Sequence, residues 1–192
     1  MKTIRWALAP RFVLVFVALL IVVGCGHSVK VVTIPDTKEA EQHLLARAFS
    51  SGSNDDYTRG KFSDPLASTR TVTSSYGVKR AGNRVHEGVD LRASLHTKVK
   101  AINSGKVVLV ARLLQEGLMV VIDHGRGIFS VYMHLSEILV KQNEMVKNGQ
   151  TISFSGDSGE GVTGPHLHLG VRFDGEYVDP LLFMKISNKY KK

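Results

Sequence analysis

Gly164-Pro165-His166-Leu167-His168-Leu169-Gly170-Val171-Arg172-Phe173 is the stretch that decides the fold. From Pro165 onward it alternates strictly, the pattern of a strand with one buried and one open face. Successive side chains of a strand point to opposite faces, so Leu167, Leu169, Val171 and Phe173 are expected in a core. His166 and His168 then share the open face, roughly 6–7 Å apart at about 3.3 Å per residue.

Far upstream, His86-Glu87-Gly88-Val89-Asp90 shows the same even spacing between two polar side chains. Gly88 lies between them and Val89 and Leu91 take the opposite parity, so the segment reads as loop running into strand. Both pairs can therefore sit on one face of a sheet and look at each other. Between them in sequence comes one more histidine, His134, in Val131-Tyr132-Met133-His134-Leu135.

These residue types point to zinc. A catalytic zinc site typically takes three ligands from His, Asp, Glu or Cys and keeps a fourth position for water. His86, Asp90 and one histidine of the 166/168 pair supply three. The other histidine and His134 remain to orient water, take its proton or stabilise a developing oxyanion. Five groups are one too many for a closed four-ligand structural site and suit an open one. His27, His43 and His96 read as surface residues, and His124, in Ile122-Asp123-His124-Gly125-Arg126-Gly127, as a turn residue.

Around these motifs the chain is rich in short strand patterns: Thr71–Ser74, Val99–Ala101, Gly105–Leu113, Leu118–Asp123, Ile128–His134, Gln150–Ser155 and His166–Phe173. Glycine and polar turns such as Gln115-Glu116-Gly117 and Asn148-Gly149 separate them, and regular spacing of this kind predicts antiparallel sheets. The loop Gly156 to Gly164 is glycine-rich and reads as a groove wall; no Lys-Ser/Thr helix start follows, so it is not a phosphate loop. Tyr132 reads as strand packing.

Residues from about Ser74 to Met184 resemble the lysostaphin-type (LytM-like) zinc metallopeptidases that cut peptidoglycan cross-links. The likeness runs in order through Ser75-Tyr76-Gly77, His86-Glu87-Gly88-Val89-Asp90-Leu91, Val99-Lys100-Ala101 with Gly105-Lys106-Val107, Asp123-His124-Gly125, Tyr132-Met133-His134-Leu135, Val146 to Gln150, Gly164-Pro165-His166-Leu167-His168 and Val178-Asp179-Pro180-Leu181. The resemblance implies an all-β, mainly antiparallel, curved sheet with an open groove. It implies one Zn2+ held by His86, Asp90 and His168, with His134 and His166 catalytic. Lys79 departs from the arginine such proteins commonly carry shortly after the Phe/Tyr-Gly pair. The implied activity is a zinc-dependent endopeptidase acting on peptidoglycan stem peptides, with a regulatory envelope protein as a partner it could take.

Two rival readings are weighed against that one. A wall-binding regulator that activates another hydrolase is the alternative, and the complete five-residue set argues against it. A carrier domain resembling biotinyl or sugar-phosphotransferase modules shares the Val99-Lys100-Ala101 turns, but the chain has no Met-Lys-Met motif.

The N-terminus sets the expected compartment. Lys2, Arg5 and Arg11 flank an apolar run from Phe12 to Val23, short enough for a signal-peptide core rather than a bilayer span. It ends in Val22-Val23-Gly24-Cys25-Gly26, which resembles a bacterial lipobox. Residues 1–24 are thus expected to be a lipoprotein signal peptide and Cys25 the site of lipid attachment. In a Gram-negative cell, Gly26 sends such a protein to the outer membrane, facing the periplasm. Cys25 is the single cysteine, so no internal disulfide forms and thiolates cannot hold a metal in the domain. The formal charge of +8 falls to +5 once the signal is removed, suiting anionic lipid and stem-peptide carboxylates. Nucleic acid is not expected, since the chain shows no basic helix or aromatic platform.

Residues 25–65 read as a tether, with a short helix within Thr37–Phe49 and a flexible polar linker from Ser50 to Asp56. About forty such residues reach on the order of 130–140 Å when fully extended. Residues 66–185 are expected to form the metallopeptidase domain and residues 186–192 a basic, solvated tail.

Overall fold

The computed structural model describes residues 18–21, 30–33, 38–50, 52–67 and 71–190. Cys25, His27 and most of the expected signal peptide lie outside these residues. The elements are β1 (Ala18–Ile21), β2 (Lys30–Thr33), α1 (Lys38–Ser50), β3 (Val72–Ser74), β4 (Val89–Arg92), β5 (Lys98–Lys100), β6 (Gly105–Leu113), β7 (Gly117–Gly125), β8 (Ile128–Ile138), β9 (Met145–Val146), β10 (Thr151–Ser155), β11 (His166–Phe173), β12 (Glu176–Val178) and α2 (Pro180–Tyr190). A short 3-10 turn, Ala81–Asn83, lies between β3 and β4.

One sheet carries all of these strands, in the order β1-β2-β6-β7-β8-β11-β4-β3, with β5, β9, β10 and β12 attached along its sides. Pairing is antiparallel apart from the parallel contact of β2 with β6, as the evenly spaced short strands predict. Ala18–Ile21, inside the expected signal peptide, pairs antiparallel with Lys30–Thr33.

The sheet is apolar on both faces because its central strands carry β-branched and aliphatic residues at both parities. Val107, Val120, Ile122, Tyr132, Leu167, Leu169 and Val171 point to one core, closed by Met184 of α2. Val108, Ala111, Met119, Val121, Phe129 and Val131 point to the other, where Ala48 of α1 packs with Leu44, Leu45 and Phe49. Phe173, expected in the core with its three even-spaced neighbours, is 41% exposed. It ends β11, and its ring lies against Phe183 of α2, 5.9 Å between centroids.

Two other expectations differ from the structure. The polar stretch after α1, expected to be a flexible linker, is strapped to the domain. Ser53 N–H donates to Asp123 Oδ2 at 2.7 Å, Arg126 N–H to the Ser53 carbonyl at 2.9 Å and Tyr57 N–H to the His124 carbonyl at 3.0 Å. Gly125 makes this approach possible: at its φ of +80°, any Cβ would sit 1.5 Å from the Asp55 carbonyl oxygen. Polar composition predicts solvation, but these groups have partners on the β7–β8 turn. Past them, Phe62 and Leu66 are buried in the first core.

The C-terminal basic segment, expected as a solvated tail, is helical as far as Tyr190. Asn188 anchors it, accepting from Phe62 N–H at 2.6 Å and donating to the Phe62 carbonyl at 2.9 Å. Lys189 within it remains exposed.

Candidate metal centre and groove

His168 on β11 stands directly opposite Asp90 on β4. Directly opposed residues of an antiparallel pair point to the same face, so the register alone brings an imidazole and a carboxylate together. His86 enters from the loop before β4. Its N–H donates to the Val78 carbonyl and its carbonyl accepts from Gly77 N–H, both at 2.9 Å, which fixes the loop as a narrow hairpin. Gly88 lets that loop cross β11: a Cβ there would lie 2.5 Å from both His168 Nε2 and the Leu169 carbonyl oxygen.

Three ligand-type atoms converge. Asp90 Oδ1 is 3.0 Å from His86 Nε2 and 2.9 Å from His168 Nδ1, and the two nitrogens are 3.1 Å apart. Around a tetrahedral zinc with arms of 2.0–2.2 Å, ligand atoms stand ~3.3 Å from one another. The observed triangle is within a few tenths of an ångström of that, and these residues fit a metal ion. His86 Nδ1 lies 2.8 Å from the Ser75 carbonyl, so it carries the proton and donates it there. That leaves Nε2 with its lone pair toward the triangle, the arrangement metal-binding histidines typically show.

The electrostatics agree. Burial by itself raises the Asp90 carboxyl, but hydrogen bonds and charge from His168 and His86 outweigh it and hold the group far below the usual carboxylate range. Burial pushes His168 down, against the attraction of Asp90. Asp90 is therefore poised as an anion and His168 as a neutral imidazole, the protonation that a metal requires.

His134 and His166 stand beside the triangle. The His134 ring is 4.9 Å from that of His166 and 5.9 Å from that of His168, centroid to centroid. His166 Nε2 is 3.8 Å from Asp90 Oδ1. His134 Nδ1 donates to the Ser158 carbonyl at 3.0 Å and His166 Nδ1 to the Gly164 carbonyl at 2.9 Å. In each ring Nε2 is left as the acceptor. Burial first, then the neighbouring charges of His168 and His166, lowers the His134 pKa to about 4, so its ring is neutral at ordinary pH.

His134 reaches this position through a break in its strand. Val120 faces Tyr132 and Leu118 faces Leu135, so β8 spends one more residue than β7 over this interval. The extra residue is a bulge, and His134 sits in it at a φ of +61°. Strict alternation would send His134 to the side of Tyr132, which is fully buried with its hydroxyl accepting from Ile102 N–H at 2.9 Å. The bulge instead turns the imidazole to the face of His166 and His168. No feature of the Val131–Leu135 pattern announces it.

All five candidate residues named from the sequence thus lie together. The other described histidines, His43, His96 and His124, lie apart. His43 and His96 are exposed. His124 is not in a turn but fully buried in β7, with Nδ1 donating to the Ser104 carbonyl and Nε2 2.8 Å from Ser130 Oγ. The site face continues along β11 into a cleft of about 540 Å³ bounded by Leu45 and Phe49 of α1, Tyr76, Glu87, Arg172 and Tyr177. Helix α1 forms one wall of this cleft; its composition shows an apolar side without saying what that side covers.

Residues 84–180, just over half of the chain, match the sequence profile of peptidase family M23. This chain belongs to peptidase family M23. Among its relatives is the peptidoglycan DD-endopeptidase ShyB of Vibrio cholerae, 36% identical over 117 residues, 58% of this chain and 27% of ShyB. The murein hydrolase activator EnvC of Escherichia coli is 34% identical over 142 residues, 74% of this chain and 32% of EnvC. The catalytic domain of the antimicrobial peptidase lysostaphin from Staphylococcus simulans superposes with a TM-score of 0.56 at 34% identity, covering 60% of this chain and 92% of that domain. The M23 chain spans 21–32% of the length of the first curated relatives it matches. Among its described residues, no helix is long and apolar enough to cross a membrane.

Proposed function

We propose that this M23 protein is a zinc-dependent endopeptidase that hydrolyses peptide cross-links of peptidoglycan at the cell envelope. The observation that carries the reading is the convergence of His86, Asp90 and His168 beside the Nε2 acceptors of His134 and His166, on the open face of one sheet. His86, Asp90 and His168 would hold the ion. When bound there, zinc supplies Lewis acidity to a carbonyl and to water.

The chain's own groups account for the remaining steps. His134 and His166 are held by Nδ1 hydrogen bonds that leave Nε2 free. A neutral imidazole in that tautomer accepts a proton from attacking water and, once protonated, donates it to the leaving amine. Between those two transfers, the protonated ring presents Nε2–H to the oxyanion. The glycine-rich stretch before β11 borders the site through Ser158 and Gly164, and the cleft toward α1 offers further room for an extended peptide. Lipid on Cys25 would fix the protein to a membrane beside its polymer substrate, in the periplasm if the cell is Gram-negative.

Purified cross-linked muropeptide dimers incubated with the zinc-loaded protein should give monomers, read by mass spectrometry. Intact dimers, or cleavage that survives His168→Ala, would defeat the proposal. The likeness to the activator EnvC supports a second reading, a wall-bound regulator of another hydrolase. A zinc stoichiometry near zero, with stimulation of an added amidase, would favour that reading.

A further inference from the structure

Asp90 has two oxygens, and they face different partners. Oδ1 belongs to the triangle with His86 and His168. Oδ2 accepts a hydrogen bond from Arg80 Nη2 at 2.9 Å. The same Nη2 donates to Ser74 Oγ, also at 2.9 Å, and Ser74 Oγ lies 3.4 Å from His86 Nδ1. One guanidinium therefore touches the carboxylate directly and reaches the His86 ring through a serine.

The backbone around Arg80 is built to hold it there. Arg80 N–H donates to the Arg84 carbonyl at 2.8 Å, closing the turn over Ala81–Asn83. Lys79 bridges Val85 across the same hairpin. Ser74 stands opposite Asp90 in the β3–β4 register. The Arg80 side chain is 41% exposed and that of Asp90 only 12%. Solvent screens such a pair, so its contribution to fold stability is small; its geometric effect on Asp90 is not reduced by screening.

We propose that Arg80 is a positioning residue for the metal centre: it occupies Asp90 Oδ2 so that the carboxylate presents Oδ1 alone to the ion. The inference rests on the reading of His86, Asp90 and His168 as the ligand set. With Oδ2 held, Asp90 cannot close on the ion through both oxygens, and the coordination position that a second oxygen would take stays available to water or substrate. A guanidinium suits the task because its planar donors serve carboxylate and hydroxyl at once, whereas an ammonium is a single point charge. Groups that hydrogen-bond metal ligands typically alter metal affinity or activity 10–100-fold when removed.

The test uses the full-length chain with three readouts: zinc affinity by competition with a chromophoric chelator, the d–d absorption of the cobalt-substituted protein, and the thermal midpoint of the metal-free protein. In Arg80→Ala, zinc Kd should change about 10–100-fold and the cobalt band intensity should shift toward a higher coordination number, with the metal-free midpoint unchanged. Arg80→Lys should fall between Arg80→Ala and the parent in both metal readouts, and it serves by itself if the alanine variant does not fold. Parental zinc affinity and an unaltered cobalt spectrum in these variants, while Asp90→Ala loses the metal, would overturn the role of Arg80. A parent protein that binds no zinc would overturn the ligand set and this inference with it.

Discussion

The two halves of the site are built by opposite means. The ligand half is regular: His168 and Asp90 are a directly opposed pair in an antiparallel ladder, and His86 is pinned by a tight hairpin. The histidine half is irregular. His134 owes its position to a bulge and a left-handed backbone, and its partner His166 opens β11, where a glycine-rich loop meets the sheet. Regular pairing gives a rigid triangle with short separations. A bulge re-aims one side chain without moving the strands around it. The difference suits the proposed roles, since ligands must match the radius of an ion and proton-transferring groups must face a substrate.

The largest effect that would break this comparison lies in the ligand half. His168→Ala should abolish both zinc uptake and muropeptide cleavage, because two ligands and water do not make a stable site; stoichiometric zinc in the variant, measured by metal analysis, would contradict the assignment. In the histidine half, His134→Ala should lower kcat by about 10²–10⁴-fold while zinc stoichiometry stays at that of the parent. Loss of metal in that variant would place His134 among the ligands and erase the distinction between the halves.

Acid sharpens the comparison further. His134 has a folded-state pKa of about 4 against 6.5 in the unfolded chain. Between those values the unfolded state binds the extra proton, so stability is complete above about pH 6.5 and falls as pH drops toward 4. The 2.5-unit gap corresponds to on the order of 3 kcal/mol, with metal-free protein as the sample for chemical denaturation. Asp90, depressed below its ordinary 3.8, adds a loss in the same direction only below about pH 4. His168, also pushed down by burial, loses stability over the same upper window, so His134→Phe should reduce the upper slope without abolishing it and leave the lower one. An unchanged slope between pH 6.5 and 4 would show that the imidazole is not buried as described.

The smallest expected effect isolates the backbone. A non-glycine residue at a φ of +61° costs about 1 kcal/mol relative to glycine. His134→Gly should thus be about 1 kcal/mol more stable than His134→Ala, both being inactive. Equal stabilities would mean that the bulge relaxes once the imidazole is gone.

Much of this arrangement is legible in the residues. The HxH alternation places His166 and His168 on one face because period two is intrinsic to a strand, and the observed β11 begins and ends where that alternation does. His86 and Asp90 are marked by Gly88, whose missing side chain lets two backbones approach. The strap from Ser53 to Leu66 is not legible, since its polar residues find partners only on a turn some seventy positions away. Nor is the extent of α2, whose last turn depends on Asn188 meeting the backbone of Phe62.

Local sequence, then, determined which residues alternate, which glycines permit close approach, and the set of five polar side chains with the chemistry their types allow. Tertiary structure decided the rest: that β4 and β11 pair in the register that puts Asp90 opposite His168, that β8 carries one residue more than its neighbour at His134, that Arg80 takes the second oxygen of Asp90, and that α1 lies on the same face as the site. The physical reason is that side-chain period and backbone freedom are properties of single residues. Register, bulges and docked helices are properties of pairs of segments, settled only when distant strands bury their apolar faces together.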